Sequence, residues 1–305
     1  MKNDPVTIIA GPCSVDEDNL SEIYQIAEIT VNGMRAIAGT RVVGLKSRSE
    51  LDQSGAGMGM DFSVVRENMR ILQRGGSIKD MKSFPSTELA VEIYNKTNLL
   101  IATEIMIPSV QMPAFAGKFP PGKLMPWNPS VNQLGWNLLE IAEYAKENNW
   151  PVGIKNGKWI GENPQVADSE SYQKVCPLEK VWSGLASYVT PFARETILIH
   201  RGVDVPEKGD FRNLPVHNIA KRTKLKTNAK LYFDPSHSYG PKMRENIVSA
   251  TIDAMRMKID EENYLYDGIL IEAGTSKTDT EQHISLKELE QLAEEITTFR
   301  TLVKP

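Results

Sequence analysis

Gly268-Ile269-Leu270-Ile271 carries no polar side chain and runs straight into Glu272. Leu99-Leu100-Ile101-Ala102-Thr103 is nearly as apolar and runs into Glu104. A strand with one wet face alternates polar and apolar residues, whereas near-continuous apolar runs of this length belong to parallel strands covered on both faces. Short runs of this kind recur at residues 6–10, 41–45, 99–103, 123–127, 151–154, 196–200, 229–233 and 268–271, the fourth weakened by Pro126. Between them lie amphipathic stretches with helical spacing, at 19–38, 63–74, 137–147, 171–188, 241–257 and 286–299. Ser86-Thr87-Glu88-Leu89 opens a further helix, with Ser86 as its expected cap. Strand and helix alternating about eight times predicts an α/β fold, the (β/α)8 or TIM barrel, with a doubly wound open sheet as the competitor.

The chain has 305 residues. That length admits two domains of about 150 residues or one barrel of about 250 or more. No Gly/Ser linker, charge block or repeat divides it, so residues 1–305 are expected to form a single barrel domain. With 41% hydrophobic and 24% charged residues the composition is that of a globular protein. No apolar run approaches a membrane span, and the N-terminus lacks the apolar core of a signal peptide. Two cysteines, Cys13 and Cys176, cannot make a disulfide framework, so a reducing, cytoplasmic setting is expected. The net charge of −4 argues against a nucleic-acid partner. The basic run Lys221-Arg222-Thr223-Lys224-Leu225-Lys226 is expected to be a solvated loop or helix face.

Reactive residue types gather just after the strand runs. Cys13 follows the first, Lys46 and Arg48 the second, Glu104 the third, Lys155 the fifth, Arg201 the sixth and His237 the seventh; Glu272 ends the eighth, with Asp279 seven residues on. In a barrel all these strand ends open on one face, where barrel active sites lie. The thiol, imidazole and carboxylates of Cys13, His237, Glu272 and Asp279 suit one divalent transition ion: Zn, Fe, Co or Cu by the soft donors, Mn by the carboxylates. Lys46, Arg48, Lys155 and Arg201 suit phosphate or carboxylate ligands. Against these, Cys176 and His200 are expected to pack, His283 to lie at the surface, and His217 carries no context. Ser54-Gly55-Ala56-Gly57-Met58-Gly59 does not follow its strand directly and is expected to be a mobile loop over the pocket rather than a dinucleotide fingerprint.

Seven short motifs then occur in order: Ile-Ala-Gly-Pro-Cys-Ser, Lys-x-Arg-Ser, Thr-Glu-Ile-Met, Pro-Val-Gly-Ile-Lys-Asn-Gly, His-Arg-Gly, Asp-Pro-Ser-His and Gly-Ile-Leu-Ile-Glu. The set resembles the type I 3-deoxy-7-phosphoheptulonate (DAHP) synthases and the related 3-deoxy-manno-octulosonate 8-phosphate synthases, over residues 8–289. The resemblance implies a metal-dependent transferase on a TIM barrel. Its partners would be phosphoenolpyruvate and an aldose phosphate, most simply erythrose 4-phosphate, at the entry to the shikimate pathway and aromatic amino acid biosynthesis. The sibling alternative takes another aldose such as arabinose 5-phosphate, and a third reading is a barrel that binds phosphate ligands without turnover.

By the resemblance Cys13, His237, Glu272 and Asp279 are metal ligands, the metal being Mn, Fe, Co or Zn. Lys46, Lys155 and Arg201 hold phosphoenolpyruvate, Arg48 and Ser49 lie near the aldose phosphate, and Glu104 is a pocket acid. Lys46, Glu104, Lys155 and His237 are the expected catalytic set. A homo-oligomer, dimer or tetramer, is implied as well. The chain departs from the family at four points, the first being the unusual stretch Phe119-Pro120-Pro121-Gly122 before the fourth strand. Ser47 replaces a proline, Glu272 and Asp279 are closer together than is common, and Met125-Pro126-Trp127-Asn128-Pro129 lacks the Arg that usually follows the fourth strand to bind phosphate.

Overall fold

The computed structural model describes residues 4–15, 18–43, 62–276 and 280–305. The strands are β1 (Thr7–Gly11), β2 (Thr30–Val31), β3 (Met34–Arg35), β4 (Gly39–Arg41), β5 (Leu100–Glu104), β6 (Leu124–Asn128), β7 (Val152–Lys155), β8 (Thr196–His200), β9 (Lys230–Phe233) and β10 (Gly268–Glu272). Eight of them, all but β2 and β3, form a closed parallel barrel in the order β1-β10-β9-β8-β7-β6-β5-β4. Pairing of Ile9 with Gly39 closes the ring, and Gly11 lies opposite Glu272 on the neighbouring strand. This is the TIM barrel that the apolar runs predict.

Two layers of apolar packing follow from the period-two alternation of strand side chains. Ile9, Ala102, Met125, Ile197, Tyr232 and Leu270 belong to the inner cluster that fills the barrel. Ile8, Ile101, Leu124, Ile154, Leu198 and Ile271 belong to the outer cluster, with helix residues such as Ile23, Ile141 and Leu292. Among the described residues no helix is long and apolar enough to cross a membrane.

Several expected boundaries move. The helix predicted over 19–38 stops at Glu28, and a small hairpin of β2 and β3 follows. Its turn residues Asn32 and Gly33 have φ of 52° and 73°, the two-residue turn that Asn-Gly specifies; the helical period masked that local signal. Ser86 lies inside the helix Pro85–Thr97 rather than capping it, because Pro85 takes the first turn. The helix expected over 171–188 begins at Pro177, and the one expected over 241–257 opens as a 3-10 segment, Pro241–Asn246. The helix Leu286–Thr297 starts on a capping box between Ser285 and Glu288. The basic run lies on the helix His217–Thr227, but it is not wholly solvated, since Arg222 pairs with Glu179 and Lys224 with Asp267.

Candidate active site

The inward series on each strand continues past the apolar filling to the C-terminal mouth. Two residues beyond Ala102 is Glu104, beyond Ile199 is Arg201, beyond Tyr232 is Asp234 and beyond Leu270 is Glu272. Arg41 on β4 and Lys155 at the end of β7 join them, so three cations and three carboxylates crown the barrel. All but Glu104 are buried. Buried charges persist only when paired or when a ligand completes them.

Arg41 and Glu272 form one pair, Nη1 to Oε1 at 2.7 Å, an ion pair without hydrogen-bond alignment. Burial raises the Glu272 carboxyl pKa, but Arg41, His237 and His283 outweigh it and hold the group ionised well below the usual range. Lys155 Nζ lies 3.1 Å from Asp234 Oδ2, and Asp234 Oδ1 lies 3.0 Å from His237 Nδ1. Asp234 also caps the short helix Pro235–Tyr239, accepting from the His237 backbone N–H, which fixes where His237 starts. Burial lowers the His237 pKa to about 4, the attraction of Asp234 notwithstanding. The ring is therefore neutral near pH 7, with its proton on Nδ1 toward Asp234 and a lone pair on Nε2.

That lone pair faces Glu272 Oε1 at 3.8 Å. Two electron-pair donors face each other with no proton between them, an arrangement a cation completes. The Asp234 carboxylate behind His237 is the outer partner that metal-binding histidines commonly have. On the other side of Glu272, His283 Nε2 lies 3.7 Å from Oε2 and accepts the Cys13 backbone N–H at 3.2 Å. The structure thus gathers His237, His283 and the backbone of Cys13 about Glu272. Among the described residues no three Cys, His, Asp or Glu side chains form a group at metal-ligand spacing. The donor chemistry of thiol, imidazole and carboxylate nonetheless fits a divalent transition ion.

Lys155 is held by its backbone: Asn128 Oδ1 accepts its N–H at 2.9 Å, and its carbonyl accepts from Gln133 Nε2 at 3.0 Å. Asn128 stands at the end of β6, the strand after which the resemblance calls for an Arg. Arg201 is held the same way, by Asn156 Oδ1 on its N–H at 2.8 Å. Its guanidinium Nε and Nη1 are buried and have no hydrogen-bond partner among the described residues. Burial lowers its pKa to about 10, so it is still charged at neutral pH. Glu104 Oε2 accepts from the Trp127 indole at 3.2 Å.

Lys46, Arg48, Ser49, Asp279 and the glycine-rich stretch 54–59 lie outside the described residues. Cys176 and His200 pack as expected: Cys176 against the cluster of Ile160, Val203 and Ile219, and His200 against Tyr266. His283, expected at the surface, is buried behind Glu272 with Nδ1 on the Gly274 carbonyl at 3.0 Å, because residues 282–284 fold back along β10. Arg41, Asp234, Arg212 and Gln282 are site residues that the sequence reading passed over. A charge two residues beyond the inward Tyr232, where the apolar run ends, would have found Asp234.

No family model matches the sequence, and no curated protein matches it either. Solved structures do. Phospho-2-dehydro-3-deoxyheptonate aldolase (DAHP synthase) from Thermotoga maritima superposes with a TM-score of 0.67 at 18% identity, over 97% of this chain and 69% of that one. The truncated 3-deoxy-D-arabino-heptulosonate 7-phosphate synthase of the same organism gives 0.64 at 18% identity, over 97% and 87%. The chain has the fold of a DAHP synthase. At this identity the likeness fixes the path of the backbone.

Proposed function

We propose that the protein is a metal-dependent synthase that condenses phosphoenolpyruvate with a phosphorylated aldose, most simply erythrose 4-phosphate. The observation that carries this is the meeting, at one barrel mouth, of the buried Arg201 guanidinium, whose Nε and Nη1 have no hydrogen-bond partner among the described residues, with the facing donors of His237 and Glu272. The first suits a phosphorylated acid, the second a divalent ion.

Lys155 and Arg201 neutralise the phosphoenolpyruvate anion, and Lys46 stands between the two substrates. Arg48 and Ser49 hold the aldose phosphate. Cys13, His237, Glu272 and Asp279 hold the metal, whose chemistry when bound is to polarise the aldehyde oxygen. C3 of phosphoenolpyruvate forms a bond to the aldehyde carbon, whose oxygen becomes a hydroxyl. Water adds at C2, the C2–O bond to phosphorus breaks, and inorganic phosphate leaves a ketone behind. Glu104, with one oxygen tied to the Trp127 indole, takes one proton from that water, the aldehyde oxygen gains one in becoming a hydroxyl, and the second water proton leaves with the phosphate. The buried cations stabilise the charge that develops at C2. On the same reading residues 1–305 work as one barrel domain, in the cytoplasm, as a dimer or tetramer.

A sibling synthase using another aldose such as arabinose 5-phosphate is the second reading, motivated by the lack of the phosphate-binding Arg expected just after β6. Phosphoenolpyruvate loss is followed with a panel of aldose phosphates, with and without chelator. Loss with erythrose 4-phosphate alone supports the first reading, and loss with a five-carbon aldose the second. No loss with any aldose and added metal overturns both and leaves a phosphate-binding barrel.

A further inference from the structure

The other end of the barrel, where the strands begin, holds a cavity of about 380 Å³. Thr7, Leu100 and Lys230, each the first residue of its strand, line it. Val303 lines it too, tied to the start of β1 by its N–H on the Val6 carbonyl at 2.9 Å. Ligand pockets commonly measure about 300–1,000 Å³. No residue of the candidate active site contributes to this wall, which lies away from the face where barrel active sites open.

Its edge is built by three loops bonded to one another. Phe119-Pro120-Pro121-Gly122, the unusual stretch before β6, is one of them. Gly122 N–H donates to the Asn149 carbonyl at 2.9 Å, and the Trp150 indole donates to the Pro120 carbonyl at 3.3 Å. Arg194 N–H donates to the Trp150 carbonyl at 3.0 Å, which brings in the loop before β8. Only glycine fits at position 122, since φ is +74° and a Cβ would run into the Arg194 guanidinium. The inner wall is apolar: Ile9, Met125, Ile197 and Tyr232 of the barrel filling, with Leu100 packed on them.

The cations on this wall are incompletely matched. Lys230 pairs with Glu195 at 2.7 Å, and among the described residues Glu195 is the only carboxylate side chain on the wall. Lys123 Nζ donates to the Asn98 carbonyl at 2.8 Å, a neutral partner, and burial lowers its pKa. Among the described residues the Arg194 guanidinium has no hydrogen bond or ion pair. Arg194 and Lys123 thus line the cavity without a counter-charge, beside an apolar wall.

We propose that this cavity binds a small carboxylic acid with an apolar body. The planar fork of Arg194 takes the carboxylate, with Lys123 alongside, and the body lies on Leu100, Met125 and Ile197. Inorganic phosphate satisfies the cations but leaves the apolar wall wet, so burial of apolar surface selects the organic acid. The site is separate from the mouth, and it stands or falls independently of the synthase reading.

Calorimetric titration of the full-length protein at fixed ionic strength tests this, with hexanoate as the probe and hexanamide, acetate and inorganic phosphate beside it. Hexanoate is expected to bind, and the other three about tenfold more weakly or worse. Losing the charge-assisted contact in Arg194→Gln weakens hexanoate about tenfold or more, with the circular dichroism unchanged. Arg194→Lys recovers part of the loss, and Lys123→Gln gives a smaller loss in the same direction. Should Arg194→Gln fail to fold, Arg194→Lys and Lys123→Gln carry the test. Hexanamide binding as tightly as hexanoate overturns the role of the cations, and acetate or phosphate doing so overturns that of the apolar wall. Unchanged hexanoate affinity in the folded variants, or no hexanoate binding by the unmodified protein, overturns the site.

Discussion

Arg41 and Glu272, on strands that flank β1 on either side, meet at 2.7 Å with both side chains sealed from solvent. Removing one member of such a pair strands the other charge in a low dielectric. Arg41→Met is therefore expected to cost about 3–5 kcal/mol of folding stability. The double variant Arg41→Met/Glu272→Gln should cost less than the sum of the singles. Urea unfolding of the four proteins checks this, and strict additivity would show that the pair is not coupled.

Asp234 holds His237 in the tautomer that leaves Nε2 free to coordinate, and balances Lys155. Asp234→Asn should lower divalent-metal affinity about 10–100-fold, as losses of outer partners commonly do. Titration with Mn(II), read by the loss of the free-ion resonance, measures this without any turnover. Equal affinity in both proteins would remove Asp234 from the account.

Chelator should abolish phosphoenolpyruvate consumption, and added divalent metal should restore it. Cys13→Ala should lose the metal-restored activity while its thermal transition stays within a few degrees. An unaltered response to chelator and metal in Cys13→Ala would mean that the thiol is no ligand.

His217 sets an acid limit to stability. Burial lowers its pKa to about 4 in the folded chain, against an ordinary value of 6.5. Between those values the unfolded chain binds a proton that the folded chain refuses, so stability falls as pH drops from about 6.5 to 4, by about 3 kcal/mol for this group. Asp168 acts with the opposite sign. Burial raises it from 3.8 to about 6, so its stabilisation is complete below 3.8 and is lost as pH rises through 6. Denaturant midpoints at pH 7, 5.5 and 4 should fall more steeply for the unmodified protein than for His217→Asn; parallel slopes would contradict the assignment.

The barrel is legible in the sequence because doubly covered strands leave a local signature: Gly268 to Ile271 needs no knowledge of its neighbours to be read as buried. Glu272, Lys155 and Arg201 are legible for the same reason, as charges where an apolar run ends. Arg41 is not, since a charge at the start of such a run makes sense only beside Glu272, more than two hundred residues away. Gln282, in the 3-10 turn Thr280–Gln282, and Arg212, in the loop after β8, belong to no periodic run, and only the meeting of these two segments makes them partners. His283 misled because a position four residues after Asp279 usually means the surface, whereas here Ile284 bridges in parallel to Ala273 at the end of β10 and draws His283 inside.

Behind the mouth, His200 Nδ1 and His217 Nδ1 each lie 2.7 Å from the hydroxyl of Tyr266. One hydroxyl has one proton, so the two rings cannot use it alike. Val216 N–H already donates to His200 Nε2 at 3.0 Å, so in the neutral ring the His200 proton is on Nδ1 and points at the phenol oxygen. The phenol proton then goes to His217 Nδ1, and His217 carries its own on Nε2. The three groups form a one-way chain of donors from the end of β8 to the helix His217–Thr227, with the sense of every bond set by a single backbone amide.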